Sequence, residues 1–215
     1  MSSSFTAKWC ATIDDIKPED WEKIYGSDII KSRAFMKANE LGEFEDVEFH
    51  YLQVFKGNDI IAIVPCFCYN MDLIHIASAC KAKKWIGGIR KVFPSFLKLR
   101  TFVTGSYAAT CEHFIEYVPN LTDEEKKEVA DIIGGEIKRM SQLVKSYFVL
   151  VKDVRERGLK YVKDVLTSDY KFVVSFPTNA IPILPGVSYP DALRKKNRKR
   201  YRKFKDLFDR SFHWE

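Results

Sequence analysis

Phe49-His50-Tyr51-Leu52-Gln53-Val54-Phe55-Lys56-Gly57-Asn58-Asp59-Ile60-Ile61-Ala62-Ile63-Val64-Pro65-Cys66-Phe67-Cys68-Tyr69 sets the architecture. Two runs rich in β-branched and aromatic residues, Phe49 to Phe55 and Ile60 to Tyr69, flank the turn sequence Lys56-Gly57-Asn58-Asp59 and predict a β-hairpin. The second run is apolar almost throughout, as befits a central strand covered on both faces. Pro65 predicts a bulge or break within it.

Upstream, Pro18 to Tyr25 predicts a short helix with Pro and acids in its first turn, ended by Gly26. Ser27 or Ser32 caps the next, whose Ile30, Ala34, Phe35, Ala38 and Leu41 recur at helical spacing before Gly42. Downstream, Ile74 to Ala79 and Leu99 to Val103 read as strands, the latter followed by a Thr104-Gly105-Ser106 turn whose backbone can approach a ligand. The segment Lys81 to Lys98 mixes basic and apolar residues around Gly87-Gly88 and Pro94 and has no firm assignment. Thr122-Asp123-Glu124-Glu125 is a capping-box sequence. Behind it Val129, Ile132, Ile133, Ile137, Met140 and Val144 form one apolar stripe. Gly134-Gly135 inside that helix costs about 1 kcal/mol per Gly relative to Ala, so either close packing against the sheet or backbone approach to a ligand must compensate. Ser146 to Val151 predicts a buried strand and Lys171 to Phe176 another. Pro177, Pro182, Pro185 and Pro190 lead to a last helix with Ser188 and Asp191 at capping-box spacing and Leu193, Tyr201, Phe204 and Phe208 along one face. Hairpin, strand, helix and strand in this order predict an α+β fold in which a helix packs on a mixed sheet.

The 215 residues suffice for one sizeable core, and 46% hydrophobic with 14% aromatic content is globular composition. No apolar run reaches signal-peptide or membrane-span length, which predicts a cytoplasmic protein without a transmembrane segment. The cysteines Cys10, Cys66, Cys68, Cys80 and Cys111 are odd in number and lie mostly in apolar runs, so they read as reduced core residues. Cys66 and Cys68 share a strand face but lack a second ligand pair at tetrahedral spacing, and no metal site is expected. Net charge is +6, and its distribution says more than its total. Residues 194–215 hold ten Lys/Arg against three Asp/Glu, leaving residues 1–193 at −1.

The chain has no G-x-S-x-G, G-x-x-x-x-G-K, H-E-x-x-H or G-x-G-x-x-G, which argues against a P-loop nucleotidase, a zinc protease and a Rossmann dehydrogenase. His50, His75, His113 and His213 are scattered. The first two sit in strand-like runs as structural histidines, and His113, after the Thr104-Gly105 turn, is the candidate for acid-base work. Eight of the ten residues from Arg194 to Lys203 are basic, a density suited to neutralising phosphates and greater than solubility requires. A solvated helix face is the alternative, and an anionic membrane surface fits less well because the apolar face is narrow.

Ser32-Arg33-Ala34-Phe35-Met36-Lys37-Ala38-Asn39-Glu40, Tyr51-Leu52-Gln53-Val54, Ile61-Ala62-Ile63-Val64-Pro65 and Leu99-Arg100-Thr101-Phe102-Val103-Thr104-Gly105 follow one another in an order and texture that resemble the GNAT-like acyltransferase superfamily. More narrowly, they resemble its FemAB-like, peptidoglycan biosynthesis and recognition group of paired GNAT-like domains. Tyr189-Pro190-Asp191-Ala192-Leu193-Arg194-Lys195-Lys196-Asn197-Arg198-Lys199 resembles the basic helix that joins the two domains in that group. The resemblance implies a GNAT-like domain over residues 1–187, with a mostly antiparallel sheet and helices on its faces. Residues 188–215 would then be the basic amphipathic helix linking to a second domain, the chain being a first half or a single-domain relative.

The resemblance further implies an N-acyltransferase that moves an acyl or aminoacyl group from acyl-CoA or aminoacyl-tRNA to a small-molecule or peptide amine, with no tightly bound cofactor. Positioned backbone donors and orientation of the amine would then matter more than a covalent intermediate. His113 and Thr104 are the catalytic candidates and Gly105 a cofactor-binding one. Arg194, Lys195, Arg198 and Arg202 are the contacts expected for an anionic donor. The chain departs from the family in lacking its [Q/R]-x-x-G-x-[G/A] pyrophosphate loop: Thr104-Gly105-Ser106 has one Gly and no Gln or Arg at the required spacing. The competing expectation is a non-catalytic module that holds tRNA or another polyanion on the basic helix.

Overall fold

The computed structural model describes residues 5–26, 28–42, 44–75, 86–108, 113–154, 159–166, 170–173, 186 and 188–211. At its centre the hairpin forms as read: β2 (Glu48–Lys56) and β3 (Asp59–Asp72) pair antiparallel with Lys56 opposite Asp59. Only Gly57 and Asn58 lie between them, and Gly57 takes the φ of +60° that a tight two-residue hairpin loop demands. Strand β1 (Phe5–Cys10) adds antiparallel to β2, and β4 (Lys98–Thr104) antiparallel to β3. A two-residue strand, β5 (Glu116–Tyr117), also pairs with β3, and β6 (Phe148–Val151) lies parallel to β4. The strand order is β1-β2-β3-β4-β6, a mostly antiparallel sheet with one parallel pair.

Pro65 does not break β3. It pairs with Tyr51 in an uninterrupted strand, and the irregularity falls instead across Val54/Phe55 of β2. In an antiparallel strand the N–H and C=O of one residue point to the same side. The Pro65 carbonyl accepts from Gly105 N at 2.8 Å, so the missing donor faces the edge where β4 has just ended and no strand residue needs it.

Helices cover both faces of the sheet. On one, Trp21 and Tyr25 of α1 (Pro18–Tyr25) and Met36 of α2 (Arg33–Leu41) bury against Tyr51 and Ile63. Gly26 ends α1, and Ser32 caps α2 by accepting from Phe35 N at 3.2 Å. The buried face of α2 is Met36 and Asn39 rather than the predicted stripe. The helix starts only at Arg33, so Ile30 precedes it, and Leu41 is exposed. After the helical turns at 86–90 (α3) and β4, the other face is closed by α4 (Asp123–Leu143) and α5 (Leu159–Val165). Val129, Ile133 and Ile137 of α4 and Val162 and Val165 of α5 pack with Leu52, Val54, Val64, Cys66 and Cys68. Gly134 is explained by packing, but the neighbour is α5: a Cβ there would stand 2.6 Å from Val165 O.

Three further expectations change. Leu73–His75 is a 3-10 turn, and residues 76–79 of the strand expected there lie outside the described residues. Strand β6 is half-exposed, with Phe148 and Leu150 turned outward. Of Lys171 to Phe176, residues 171–173 form no strand and the rest lie outside the described residues, as do Ser27, Cys80, Cys111, His213, Pro177, Pro182 and Pro185.

The chain divides into two compact units, Met1–Phe172 and Val173–Glu215. In the second, the single helix expected is two pieces, α6 (Tyr189–Ala192) and α7 (Lys195–Ser211). Leu193 is extended and ends α6, so it stands on neither helix. Among the described residues no helix is long and apolar enough to cross a membrane.

Candidate functional site

One edge of β3 carries two strands in line. Ala62 and Ile63 pair with β5, and Cys66 to Asp72 pair with β4. Between Thr104 and Glu116 the chain leaves this edge, departing at Gly105, whose φ is +133°, and returning so that Val118 N reaches Ile61 O at 2.9 Å. This departure lies at the C-terminal ends of the parallel pair β4 and β6, where Thr104 stands opposite Val151. In open parallel α/β sheets ligands bind outside the carboxyl ends of the strands, the end that the chain after Thr104 and Lys152 occupies on the one parallel pair here.

Lys152, the first residue after β6, reaches over to the chain leaving β4. Its Nζ donates to Ser106 O at 2.9 Å, lies 3.4 Å from Asp153 Oδ2 and stands 5.9 Å from the centre of the Phe67 ring. Gly105 makes room for it, because a Cβ there would sit 3.2 Å from Lys152 Cγ. Asp153 holds a φ of +59°, unusual outside glycine, and its buried Oδ2 accepts no hydrogen bond among the described residues. Ser106 is fully buried and donates to Asn39 Oδ1 at 3.2 Å, and the same oxygen receives Ala108 N at 2.9 Å. Asn39 in turn donates to Phe35 O at 2.7 Å, so one buried amide ties the loop to α2. Backbone strain and a buried carboxylate oxygen whose partner is the Lys152 ammonium at 3.4 Å mark Lys152-Asp153 as the most chemically loaded point at this end of the sheet.

Of the sequence candidates, Thr104, Gly105 and His113 lie at the two ends of this loop in the first unit, whereas Arg194, Lys195, Arg198 and Arg202 belong to the second. Thr104 is buried opposite Cys66 of β3, and its hydroxyl has no hydrogen-bond partner among the described residues. Gly105 spends its N–H on Pro65 O. His113 is 5% exposed, with Nε2 3.8 Å from Glu116 Oε1. The same carboxylate oxygen pairs with Lys31 Nζ, which lies 5.7 Å from the Phe114 ring centre. Tyr25 closes this corner: its hydroxyl donates toward Ile63 O at 2.6 Å and Phe114 O at 2.9 Å. Burial holds that phenol well above its usual range. Arg194, Lys195 and Arg202 are exposed at and along the start of α7. Arg198 lies 3.8 Å from Asp191 Oδ1 and donates to Leu193 O at 3.2 Å.

Burial pushes the Cys66 and Cys68 thiols up, so both are neutral core groups at neutral pH. Among the described residues no His, Cys, Asp or Glu cluster has the form of a metal site. His50 packs its ring against Trp9 and Phe102, and burial holds the imidazole below its usual value against the opposing pull of Glu48. A depressed histidine contributes stability that is complete above its unfolded value of about 6.5 and is lost as pH falls through the lower folded value. His50→Gln is therefore expected to flatten the loss of stability between about pH 7.5 and about pH 5 in urea titrations. Equal slopes for the two proteins would count against this placement.

No protein-family model, curated protein or solved structure matches the chain. Sequence reading missed Lys152-Asp153 because both look like the polar end of a strand. The signal was available only as their position directly after Phe148-Val149-Leu150-Val151.

Proposed function

We propose that the chain is a GNAT-like N-acyltransferase domain that passes an acyl or aminoacyl group from acyl-CoA or aminoacyl-tRNA to a small-molecule or peptide amine in the cytoplasm. The observation that carries the reading is the parallel pair β4 and β6, connected through α4 within an otherwise antiparallel sheet and ending beside Gly105. Transfer to an amine needs the nucleophile oriented, its proton accepted and negative charge on the carbonyl oxygen offset. Asp153, and His113 beside the Glu116 carboxylate, are the groups suited to taking the proton. Lys152 supplies positive charge.

The N-terminus of α4 is a poor phosphate cradle. Thr122 and Glu125 already satisfy each other's backbone N–H groups at 2.9 and 3.2 Å, and three acids occupy the first turn. This accords with the missing pyrophosphate loop, and it means the donor's phosphates are held by other groups.

A second reading rests on α7, where Lys195, Lys196, Lys199, Arg200, Arg202 and Lys203 are all exposed. Such a helix suits a polyanion such as tRNA. Titration of the protein with acetyl-CoA, a long-chain acyl-CoA and bulk tRNA at low and high salt, followed by heat and tryptophan fluorescence, separates the two. Saturable binding of one acyl-CoA at both salts is expected if the first unit holds an acyl-donor site. Binding of tRNA alone, collapsing at high salt, would leave only the polyanion reading, and no binding to either would remove both.

A further inference from the structure

Residues 81–100 hold seven Lys/Arg and no Asp or Glu, and neither functional reading uses them. Their described part, from α3 to the start of β4, forms a knuckle at the far end of the β3–β4 pair. It exposes large apolar side chains: Val92 is 71% and Phe93 64% exposed, with Ile89 and Phe96 at 38% and 39%. Lys91 and Lys98 are exposed beside them and make no ion pair among the described residues.

The knuckle is held in shape from beneath. Arg90 grips Asp72, at the end of β3, through two bonds of 2.7 and 2.8 Å, and its Nε donates to Phe96 O at 2.9 Å. Leu73 N donates to Leu97 O at 3.0 Å, fixing the second leg. Within the knuckle the N–H groups of Lys91, Val92, Phe93, Phe96 and Lys98 are bonded to carbonyls three or four residues back, and Pro94 has none to satisfy. The tip thus carries few unpaired backbone donors, which is the condition for entering a medium without water.

We infer that this knuckle docks the protein on an anionic lipid bilayer, with Val92 and Phe93 in the acyl-chain boundary and Lys91 and Lys98 at the headgroups. The combination selects the bilayer among anionic or apolar partners. Phosphodiester binding gains nothing from an exposed valine, and protein interfaces are depleted of lysine. A bilayer surface rewards apolar side chains and flanking cations together. Docking is independent of the acyl-transfer reading and of α7.

The test is flotation of the 215-residue protein with vesicles of phosphatidylcholine alone or mixed with phosphatidylglycerol, using wild type, V92S/F93S, and K195E/K199E as an α7 control. Both knuckle side chains are exposed, so V92S/F93S should unfold at the wild-type temperature. Wild type is expected to bind the mixed vesicles and not phosphatidylcholine alone. V92S/F93S is expected to lose about tenfold in partitioning, while K195E/K199E keeps most of it. The inference is overturned if wild type does not float, if V92S/F93S floats as wild type does, or if only the α7 control loses binding. Retained binding of V92S/F93S to bulk tRNA would show that its loss on vesicles is specific to lipid.

Discussion

Lys31→Met is expected to destabilise the first unit by about 3 kcal/mol, most of it recovered in Lys31→Met/Glu116→Met. The Lys31 side chain is 6% exposed and Glu116 25%, so the pair is largely removed from water. Removing one member of such a pair leaves a charge with its desolvation cost and no compensation, whereas removing both exchanges two charges for apolar packing. Glu116 keeps some contact with water, which holds the single-mutant loss at the lower end of the range for buried pairs. The Lys31 ammonium also lies over the Phe114 ring, in the segment that leads back to β5. Losing it therefore loosens the segment that carries His113. Urea unfolding of wild type, both single variants and the double variant forms a complete cycle. A double variant no more stable than Lys31→Met would mean that the two groups do not compensate each other.

How much of this was legible in the sequence depended on whether a local signal and a tertiary contact agreed. The hairpin was readable because Gly57-Asn58 specifies its own turn and the flanking residues need only each other. The α4 cap was equally local: Thr122 and Glu125 meet in the same turn. Pro65 misled because its missing donor matters only if a strand lies beside it, and whether β4 extends that far is not a local property. The stripe on α2 misled for a related reason: Asn39 is buried because Ser106 and Ala108, far along the chain, bond its side chain. The site itself depended on which strands share β3's edge. Thr104 and Gly105 were recognisable as the end of a strand, but Asp153 acquires its strained backbone and buried oxygen only in the folded sheet. The single last helix was expected from capping-box spacing. In the fold Ser188 Oγ contacts the Asp191 carboxylate rather than capping backbone N–H groups, and α6 ends within one turn.

The two adjacent glycines of α4 are expected to respond in opposite directions. Gly134→Val should cost about 3 kcal/mol, because its Cβ would lie 2.6 Å from Val165 O, a backbone atom at the end of α5 with no flexible end to swing aside. Relief requires α5 to move away, and α5 carries Val162 and Val165, both fully buried against α4 and the sheet. Any helix-propensity gain at position 134 is smaller than this loss, since Val exceeds Gly by only a few tenths of a kcal/mol in a helix. Gly135 faces open space, with nothing within 4 Å of an added Cβ. Gly135→Val should thus be nearly neutral, and Gly135→Ala should stabilise by up to about 1 kcal/mol, the full propensity difference. Thermal unfolding of the three variants against wild type measures all of this. If Gly134→Val is no less stable than Gly135→Val, then α5 does not pack against α4 at this point, and the compensation for Gly134 must be sought in a ligand rather than in the core.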